Sequence, residues 1–90
     1  MSRTVITVVG KDPVGIIARV CTCLAGHNIN ILDISQTILQ GFFNMIMVVD
    51  AGNSDLNHEE LSKTLSALGE EIGITIRCQK EEIFDMMHRV

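Results

Sequence analysis

A short loop after the first apolar segment has the residue types and spacing to bind an anion. Gly10 and Gly15 are spaced as the two glycines of a nucleotide-binding P-loop, but Ile16 and Ile17 stand where that motif needs Lys and Ser or Thr. Nucleotide hydrolysis is therefore excluded. A glycine-containing loop ahead of a helix still offers backbone N–H groups and a positive dipole end, which suit a carboxylate or phosphate. The alternative, in which Gly15 only allows close helix–strand packing, stays open.

A second group of candidates consists of amides in an otherwise aliphatic segment. Asn28 is typical of a helix C-terminus, because Asn tolerates the left-handed backbone conformation. Asn30 and Gln36 are an even number of residues from Ile34 and Ile38, so strand alternation predicts that all four share one apolar face. Buried amides need hydrogen-bond partners, which a ligand or a second copy of the chain could supply.

The other polar residues do not form a catalytic group. Ser54, Asp55 and His58 lie close together in sequence at the predicted start of a helix, where Ser and Asp are common turn and capping residues. The adjacent glutamate pairs diverge on a helix and do not converge on one substrate. The sequence therefore predicts a protein that is not an enzyme and needs no cofactor.

The cysteines and histidines predict neither a metal site nor a disulfide framework. Cys21 and Cys23 are two positions apart on a predicted helix, which puts them on nearly opposite faces. Three cysteines cannot all pair within one chain, and the three histidines lack the spacing of paired ligands. Small buried apolar residues are the better interpretation of the cysteines. A chain without a disulfide framework is expected in the cytoplasm.

The length and composition of the chain indicate how many domains it forms and which kinds of partner it binds. The chain has 90 residues, of which 47% are hydrophobic and 3% aromatic, and its formal net charge is −4. This length predicts a single domain over residues 1–90. The acidic balance argues against nucleic acid, whose phosphates are bound by Lys and Arg. The longest apolar run, Met45–Val49, is far shorter than the ~20 residues that span a membrane.

Apolar periodicity and capping residues predict four strands and three helices. Asn57 and Glu60 have the spacing of a capping box at a helix start. Gly69 inside that helix costs about 1 kcal/mol relative to Ala, so an end earlier than Gly73 is an alternative. The predicted elements are a strand over 3–9, a helix over 13–26, a strand over 29–39, a turn at 40–41, a strand over 42–49, a helix over 58–72, a strand over 74–80 and a short helix over 81–90.

This order predicts an α+β, ferredoxin-like βαββαβ fold over residues 1–80, followed by a helical tail over 81–90. Two helices then cover one face of a four-stranded antiparallel sheet. The third strand is apolar on both faces, with Asn44 as the one interruption. A strand of this kind belongs in a sheet that is covered on both faces. The tail helix is short enough to cover only part of the second face, so we expect a homodimer.

The segments 8–16, 28–34 and 36–47 resemble those of an ACT domain, and the resemblance extends over essentially the whole chain. The chain is most similar to small standalone ACT proteins of unassigned activity, and it is similar to the ACT modules of glycine-cleavage-system repressors. The resemblance implies the βαββαβ fold, pairing through sheets or edges, and binding of small effectors, often amino acids, at the resulting interface.

The resemblance also implies a ligand site. Asp12 falls where serine-binding ACT domains place an Asn that contacts the ligand, and Asn30 matches a second Asn that reaches the ligand across the dimer interface. The proline of the usual Asp-Arg-Pro-Gly motif is shifted by one position to Pro13, and Gly10 replaces a histidine, which leaves the identity of the ligand open. The expected ligand-binding residues are Asp12, Pro13, Val14, Gly15, Asn28, Asn30 and Gln36.

The expected function is that of a non-catalytic regulatory homodimer, which binds a small molecule such as an amino acid and transmits the signal to a downstream protein. The alternative is a protein–protein interaction module that dimerises and engages a partner without any ligand. Neither interpretation involves nucleic acid, a membrane or a metal.

Overall fold

The computed structural model describes residues 3–11 and 13–81, which form four strands and two helices. Their order confirms the predicted βαββαβ architecture. The predicted tail helix over 81–90 lies outside the described residues from position 82 onward. The elements are β1 (Arg3–Gly10), α1 (Pro13–Gly26), β2 (Asn30–Leu39), β3 (Phe42–Asp50), α2 (His58–Ile72) and β4 (Thr75–Lys80).

The four strands form one antiparallel sheet in the order β2-β3-β1-β4. The predicted turn joins β2 to β3, and its residues Gln40 and Gly41 have φ angles of 53° and 80°. Two consecutive positive φ values are typical of a type I′ turn, whose twist matches that of the paired strands. The hairpin places β2 at one edge of the sheet, and β4 forms the other edge.

The core lies between the sheet and the two helices. Alternate residues of β1 and β3 point to this helix side, and the residues between them point to the other side, which we call the open face. Each large apolar side chain buried here contributes about 1.5–3 kcal/mol to the free energy of unfolding. The main buried side chains are Ile6, Val8, Val20, Leu24, Met45, Met47, Val49, Leu61 and Leu65.

The helix α2 begins and ends as the sequence predicts. The Asn57 side chain accepts a hydrogen bond from the Glu60 N–H at 2.8 Å, and the Glu60 carboxylate accepts one from the Asn57 N–H at 3.0 Å, which confirms the capping box. Gly73 ends the helix in the left-handed region with φ 74°. Gly69 does not end it. A Cβ on Gly69 would lie 2.8 Å from the Ile74 carbonyl oxygen, so this glycine allows β4 to approach α2 closely.

The edge strand β2 has no fully buried residue. It also contains a bulge, which changes the faces on which the amides Asn30 and Gln36 lie. The pairing with β3 skips Leu32, and an extra residue exchanges the faces of the residues on either side of it. Asn30 therefore pairs with Asp50 on the open face, whereas Gln36 pairs with Met45 on the helix side. The prediction that Asn30 and Gln36 share one face is wrong, because simple alternation does not include a bulge.

Neither helix within the described residues 3–11 and 13–81 is both long and apolar enough to cross a membrane. The helix α1 has 14 residues and α2 has 15. At about 1.5 Å per residue, both are shorter than the ~30 Å hydrocarbon layer of a bilayer.

Candidate functional site

The glycine-containing loop borders a pocket of about 520 Å³, which opens where β1 ends and α1 begins. The end of α2 and the first residues of β3 and β4 complete its wall. A Cβ on Gly10 would lie 2.5 Å from Ile74 Cγ2 and 2.6 Å from Ile16 Cδ1, so glycine is needed where these elements meet. We call this space the first pocket.

Among the residues that the structure describes, both charged side chains that line the first pocket are basic. The Lys11 ammonium lies 5.5 Å from the centre of the Phe42 ring, which forms part of the wall. Arg19 Nη2 lies 2.8 Å from Glu71 Oε1 in an ion pair, and one carboxylate does not use all five N–H donors of a guanidinium. Gly15, in the first turn of α1, adds the positive end of the helix dipole. This arrangement favours an anionic ligand group.

A second pocket, of about 400 Å³, lies at the other end of α1. The Asn28 backbone has φ 59°, and its side-chain amide donates a hydrogen bond to the Asn53 carbonyl at 3.0 Å. The Asp50 carboxylate accepts a hydrogen bond from the Gly52 N–H at 2.9 Å, which turns the chain at the end of β3. We call this space the second pocket, and it is lined by Ala25, Asn28, Ile29, Asn30, Asp50 and Asn53.

The predicted ligand-binding residues are divided between the two pockets. Gly15 lines the first pocket, and Asn28 and Asn30 line the second. Gly15 and Ala25 are about 15 Å apart along the axis of α1, because a helix rises about 1.5 Å per residue. A single chain therefore does not bring the loop and the amides to a common small ligand.

The other predicted residues have different positions. Pro13 is the first residue of α1, and Val14 follows it with 80% of its surface exposed. Gln36 is exposed on β2 and lines neither of the two pockets. Asp12 lies outside the described residues.

Sequence reasoning missed several residues that line the pockets. Arg19 is four positions after Gly15, which places both on one helix face, and this spacing was the available signal. Lys11 lies within the recognised loop itself. Phe42 and Asp50 come from β3, far from the loop in sequence, and no local pattern indicates that they face a pocket.

The side chains at the start of α2 have local structural contacts. Ser54 Oγ accepts a hydrogen bond from the Leu56 N–H at 3.0 Å. Asp55 Oδ1 lies 3.0 Å from His27 Nδ1, which links this loop to the end of α1. His58 Nδ1 is buried and has no hydrogen-bond partner among the described residues. Ser54 and Asp55 therefore contact Leu56 and His27, respectively, and neither forms a hydrogen bond with His58.

The cysteines are half-buried against the core. Burial raises the pKa of the Cys78 thiol to about 11 and also raises the pKa of Cys23. Both thiols are therefore protonated near pH 7, and the thiolate is the reactive form of cysteine. Within residues 3–11 and 13–81, no group of three or more His, Cys, Asp or Glu side chains could hold a metal ion.

Comparisons with known proteins agree with this fold. A family model described as "ACT domain" matches residues 2–79. A UPF0237 protein of Bifidobacterium longum is 58% identical over 90 residues, which is 100% of both chains. An ACT domain protein from Streptococcus pneumoniae has a TM-score of 0.82 at 37% identity, covering 92% of this chain and 93% of that one. A solved structure assigned to a glycine cleavage system transcriptional repressor has the same fold, with a TM-score of 0.73 at 24% identity over 88% of this chain and 45% of that one.

Proposed function

The chain belongs to the ACT domain family, and from this we propose that it is a non-catalytic regulatory module, a homodimer that binds an amino acid. The observation that supports a ligand most directly is the charge of the first pocket. In a chain with a net charge of −4, the two charged residues that line this pocket within residues 3–11 and 13–81, Lys11 and Arg19, are both basic. They lie beside the start of α1, where backbone N–H groups are free to donate.

A carboxylate is the ligand group that suits the first pocket best. A guanidinium donates to a carboxylate through two parallel N–H groups, and such charge-assisted hydrogen bonds are about twice as strong as neutral ones. The Phe42 ring and the aliphatic residues of the wall offer an apolar surface for the remainder of a small molecule. Pockets of this size, with few polar groups on an apolar wall, are typical of small-molecule sites.

A second copy of the chain is proposed because β2 exposes apolar side chains along its whole length. An edge strand also presents unpaired backbone N–H and C=O groups, which are a template for pairing with another chain. Contiguous exposed apolar patches mark interaction sites in soluble proteins. The exposed large apolar residues of β2 are Leu32, Ile34, Ile38 and Leu39.

The proposed site combines residues of both copies. The loop and helix start, Asp12 to Gly15, belong to one copy, and Asn28 and Asn30 belong to the other. Gln36 is on the exposed edge, where a residue of the second copy can meet it. Because the ligand contacts both copies, its binding tightens the dimer, and dimerisation raises its affinity by the same factor. This coupling is the means by which the module transmits a signal to a downstream protein.

Thermal unfolding in the presence of each of the twenty amino acids tests the proposal. A ligand at about 100 times its Kd stabilises the folded state by about 2.7 kcal/mol. We expect Asp12→Ala, Arg19→Gln and Asn30→Ala to lose this shift and to melt like the wild type without ligand. Lys63→Gln is the matched control, because Lys63 is an exposed cation on α2 that pairs only weakly with Glu59 at 3.5 Å.

Two results contradict parts of the proposal. If all three site variants keep the full shift, the assigned site is wrong. If no amino acid shifts the wild type and the protein is nevertheless a dimer, the alternative function applies. In that case the chain is an interaction module that engages a partner protein through its exposed surface, and the apolar residues of β2 favour this second candidate.

A further inference from the structure

The open face of the sheet is buried at one end and exposed at the other. Val5 and Val9 are four positions apart on β1, so both side chains point to the open face. Val5 is 3% exposed, whereas Val9 is 39% exposed. On the neighbouring strand, Val48 pairs with Val5 and is half-buried, but Ile46, which is nearer to Val9, is 43% exposed. The same residue type on the same strand and face is therefore covered in one position and exposed in the other.

The cover of Val5 is separate from the hydrophobic core. Within residues 3–11 and 13–81, Val5 is the one buried hydrophobic residue that does not belong to the core cluster, which lies on the helix side. Its neighbours across the two ladders are Val48 and Gln79. Strand side chains stand roughly perpendicular to the sheet, so these neighbours cover the sides of Val5 and leave its tip open. Because Val5 is buried in a single chain, the cover belongs to the same chain.

We propose that the C-terminal segment 82–90 packs on the open face over Val5 and Val48. The segment has nine residues, and most of them are apolar. The apolar residues are Ile83, Phe84, Met86, Met87 and Val90. Burial of such side chains against an apolar part of a sheet is favourable in proportion to the area removed from water. The chemistry of the segment therefore fits the surface that is covered.

The path of the chain leads to this end of the open face. The last residue of β4, Lys80, pairs with Thr4, which is next to Val5 on β1. Glu81 Oε2 then lies 3.6 Å from Arg3 Nη1, two positions before Val5 on the same face. The segment 82–90 thus begins beside the residue that it is proposed to cover.

The dimensions of the segment agree with cover at one end only. A helix of nine residues, as the sequence predicts here, is about 14 Å long, which equals the width of a four-stranded sheet at about 4.8 Å per strand interval. Val5 and Val9 are about 13 Å apart at about 3.3 Å per residue, and a helix is about 10 Å wide. A segment that crosses the strands above Val5 therefore leaves Val9 exposed.

This inference goes beyond the proposed function and is independent of it, because it involves neither a ligand nor a second copy. It assigns the Val5 end of the open face to the chain itself and leaves β2 for the proposed partner copy. The exposed end of the open face borders the first pocket, since Val9 and Phe42 also line that pocket. Failure of one proposal therefore does not affect the other.

Nuclear Overhauser effects between methyl groups of the full-length protein test the proposal. Val, Ile and Met methyl groups are labelled, and no ligand is added. We expect the Val5 methyl groups to show cross-peaks to at least one of Ile83, Met86 and Met87. We expect the Val9 methyl groups to show none to these three residues, because the segment does not reach them.

Three results of this measurement would overturn the proposal. The first is the absence of any cross-peak between Val5 and residues 83–90. The second is a set of cross-peaks from Val5 to Met1 alone, which would assign the cover to the N-terminus. The third comes from a mixture of two differently labelled chains: if the cross-peaks arise only between chains, the segment of a second copy covers Val5.

A matched pair of substitutions on β1 tests the packing in a different way. Val5→Thr and Val9→Thr each exchange a methyl group for a hydroxyl of similar size and keep the β-branched shape. We expect Val5→Thr to speed hydrogen exchange of the backbone amides of 83–90 at least about tenfold, because a hydroxyl without a partner is unfavourable under an apolar cover. Val9→Thr is the control and leaves this exchange unchanged. Equal exchange in the two variants would show that the segment does not pack on Val5. Melting curves identify a misfolded variant, and Val48→Thr then replaces Val5→Thr.

Discussion

The neighbouring strands β2 and β3 are both rich in large apolar residues, yet the structure treats them differently. In β3 every second residue is buried, from Phe43 to Val49, whereas none of the ten residues of β2 is. The buried residues of β3 pack in one cluster with helix residues such as Val20 and Leu61, whereas β2 contributes no buried residue to this cluster. Large apolar side chains therefore stabilise the single chain where they are buried in β3. In β2 they are exposed and remain available for association.

The pairing register of these strands places a buried residue of β3 directly opposite an exposed residue of β2. Ile34 of β2 lies opposite Met47 of β3 on the helix side of the sheet. Met47 is 0% exposed, and Ile34 is 37% exposed. These two apolar side chains are neighbours across one ladder, but Met47 belongs to the buried core cluster and Ile34 does not. The difference predicts which of them stabilises the monomer.

Truncation of these two residues has the largest expected effect. We expect Met47→Ala to lower the free energy of unfolding by about 2–5 kcal/mol, because it removes buried contacts and leaves a cavity. Ile34→Ala is the matched control and lowers it by under about 1 kcal/mol. Urea denaturation at one fixed, low protein concentration measures both. Equal losses would contradict the difference between the strands.

The two glycines near the helix ends give the next largest difference. Gly69→Ala places a Cβ 2.8 Å from a backbone oxygen of Ile74, which cannot yield as a flexible side chain can. We expect a loss of about 1–3 kcal/mol in the free energy of unfolding. Gly26→Ala is the control, because no heavy atom lies within 4 Å of its Cβ. The denaturant concentrations at the unfolding midpoints show which of the two variants is less stable. If Gly69→Ala leaves the free energy of unfolding unchanged, β4 moves away from α2 easily.

A charge on the edge strand tests association. Ile38 is 72% exposed on β2, and we expect Ile38→Glu to raise the dimer dissociation constant at least tenfold, equivalent to about 1.4 kcal/mol. The reason is that the new carboxylate must be desolvated at the proposed interface. Lys63→Gln makes the same charge change of −1 on α2, away from β2, and serves as the control. Sedimentation analysis measures both constants, and equal effects would remove β2 from the interface.

The smallest expected effect is on how the melting temperature depends on pH. The pKa of Cys78 is about 11 in the folded chain, above the ordinary thiol value of 9.0. The unfolded chain therefore loses this proton at a lower pH than the folded chain does. The stability contributed by the neutral thiol is complete below about pH 9 and declines as the pH rises toward about 11. We expect Cys78→Ala to show a smaller fall of melting temperature across this window, and parallel profiles would contradict the assignment.

Local signals in the sequence were sufficient to predict the order of the helices and strands. The capping box of Asn57 and Glu60 and the turn at Gln40–Gly41 each depend on residues within four positions of one another, so the sequence alone indicates them. The bulge at Leu32 depends on the pairing of β2 with β3, and local alternation does not reveal it. The same reason explains Gly69, whose close neighbour Ile74 is positioned by β4.

The candidate site was predicted only in part because its residues meet through the tertiary structure. The loop and the amides Asn28 and Asn30 have recognisable local patterns, and both groups do line pockets. Arg19 and Asp50 join them from a helix turn and a strand end, respectively. Whether the two pockets face one ligand depends on a second copy, which no pattern within one chain describes.

Light scattering of the wild type at micromolar concentration measures directly whether a second copy covers β2. We expect a particle of twice the chain mass of 9.9 kDa. We also expect this mass to persist to lower concentration when a bound amino acid is present, because ligand and dimer are coupled. A mass of 9.9 kDa at every concentration, with or without amino acids, would contradict it.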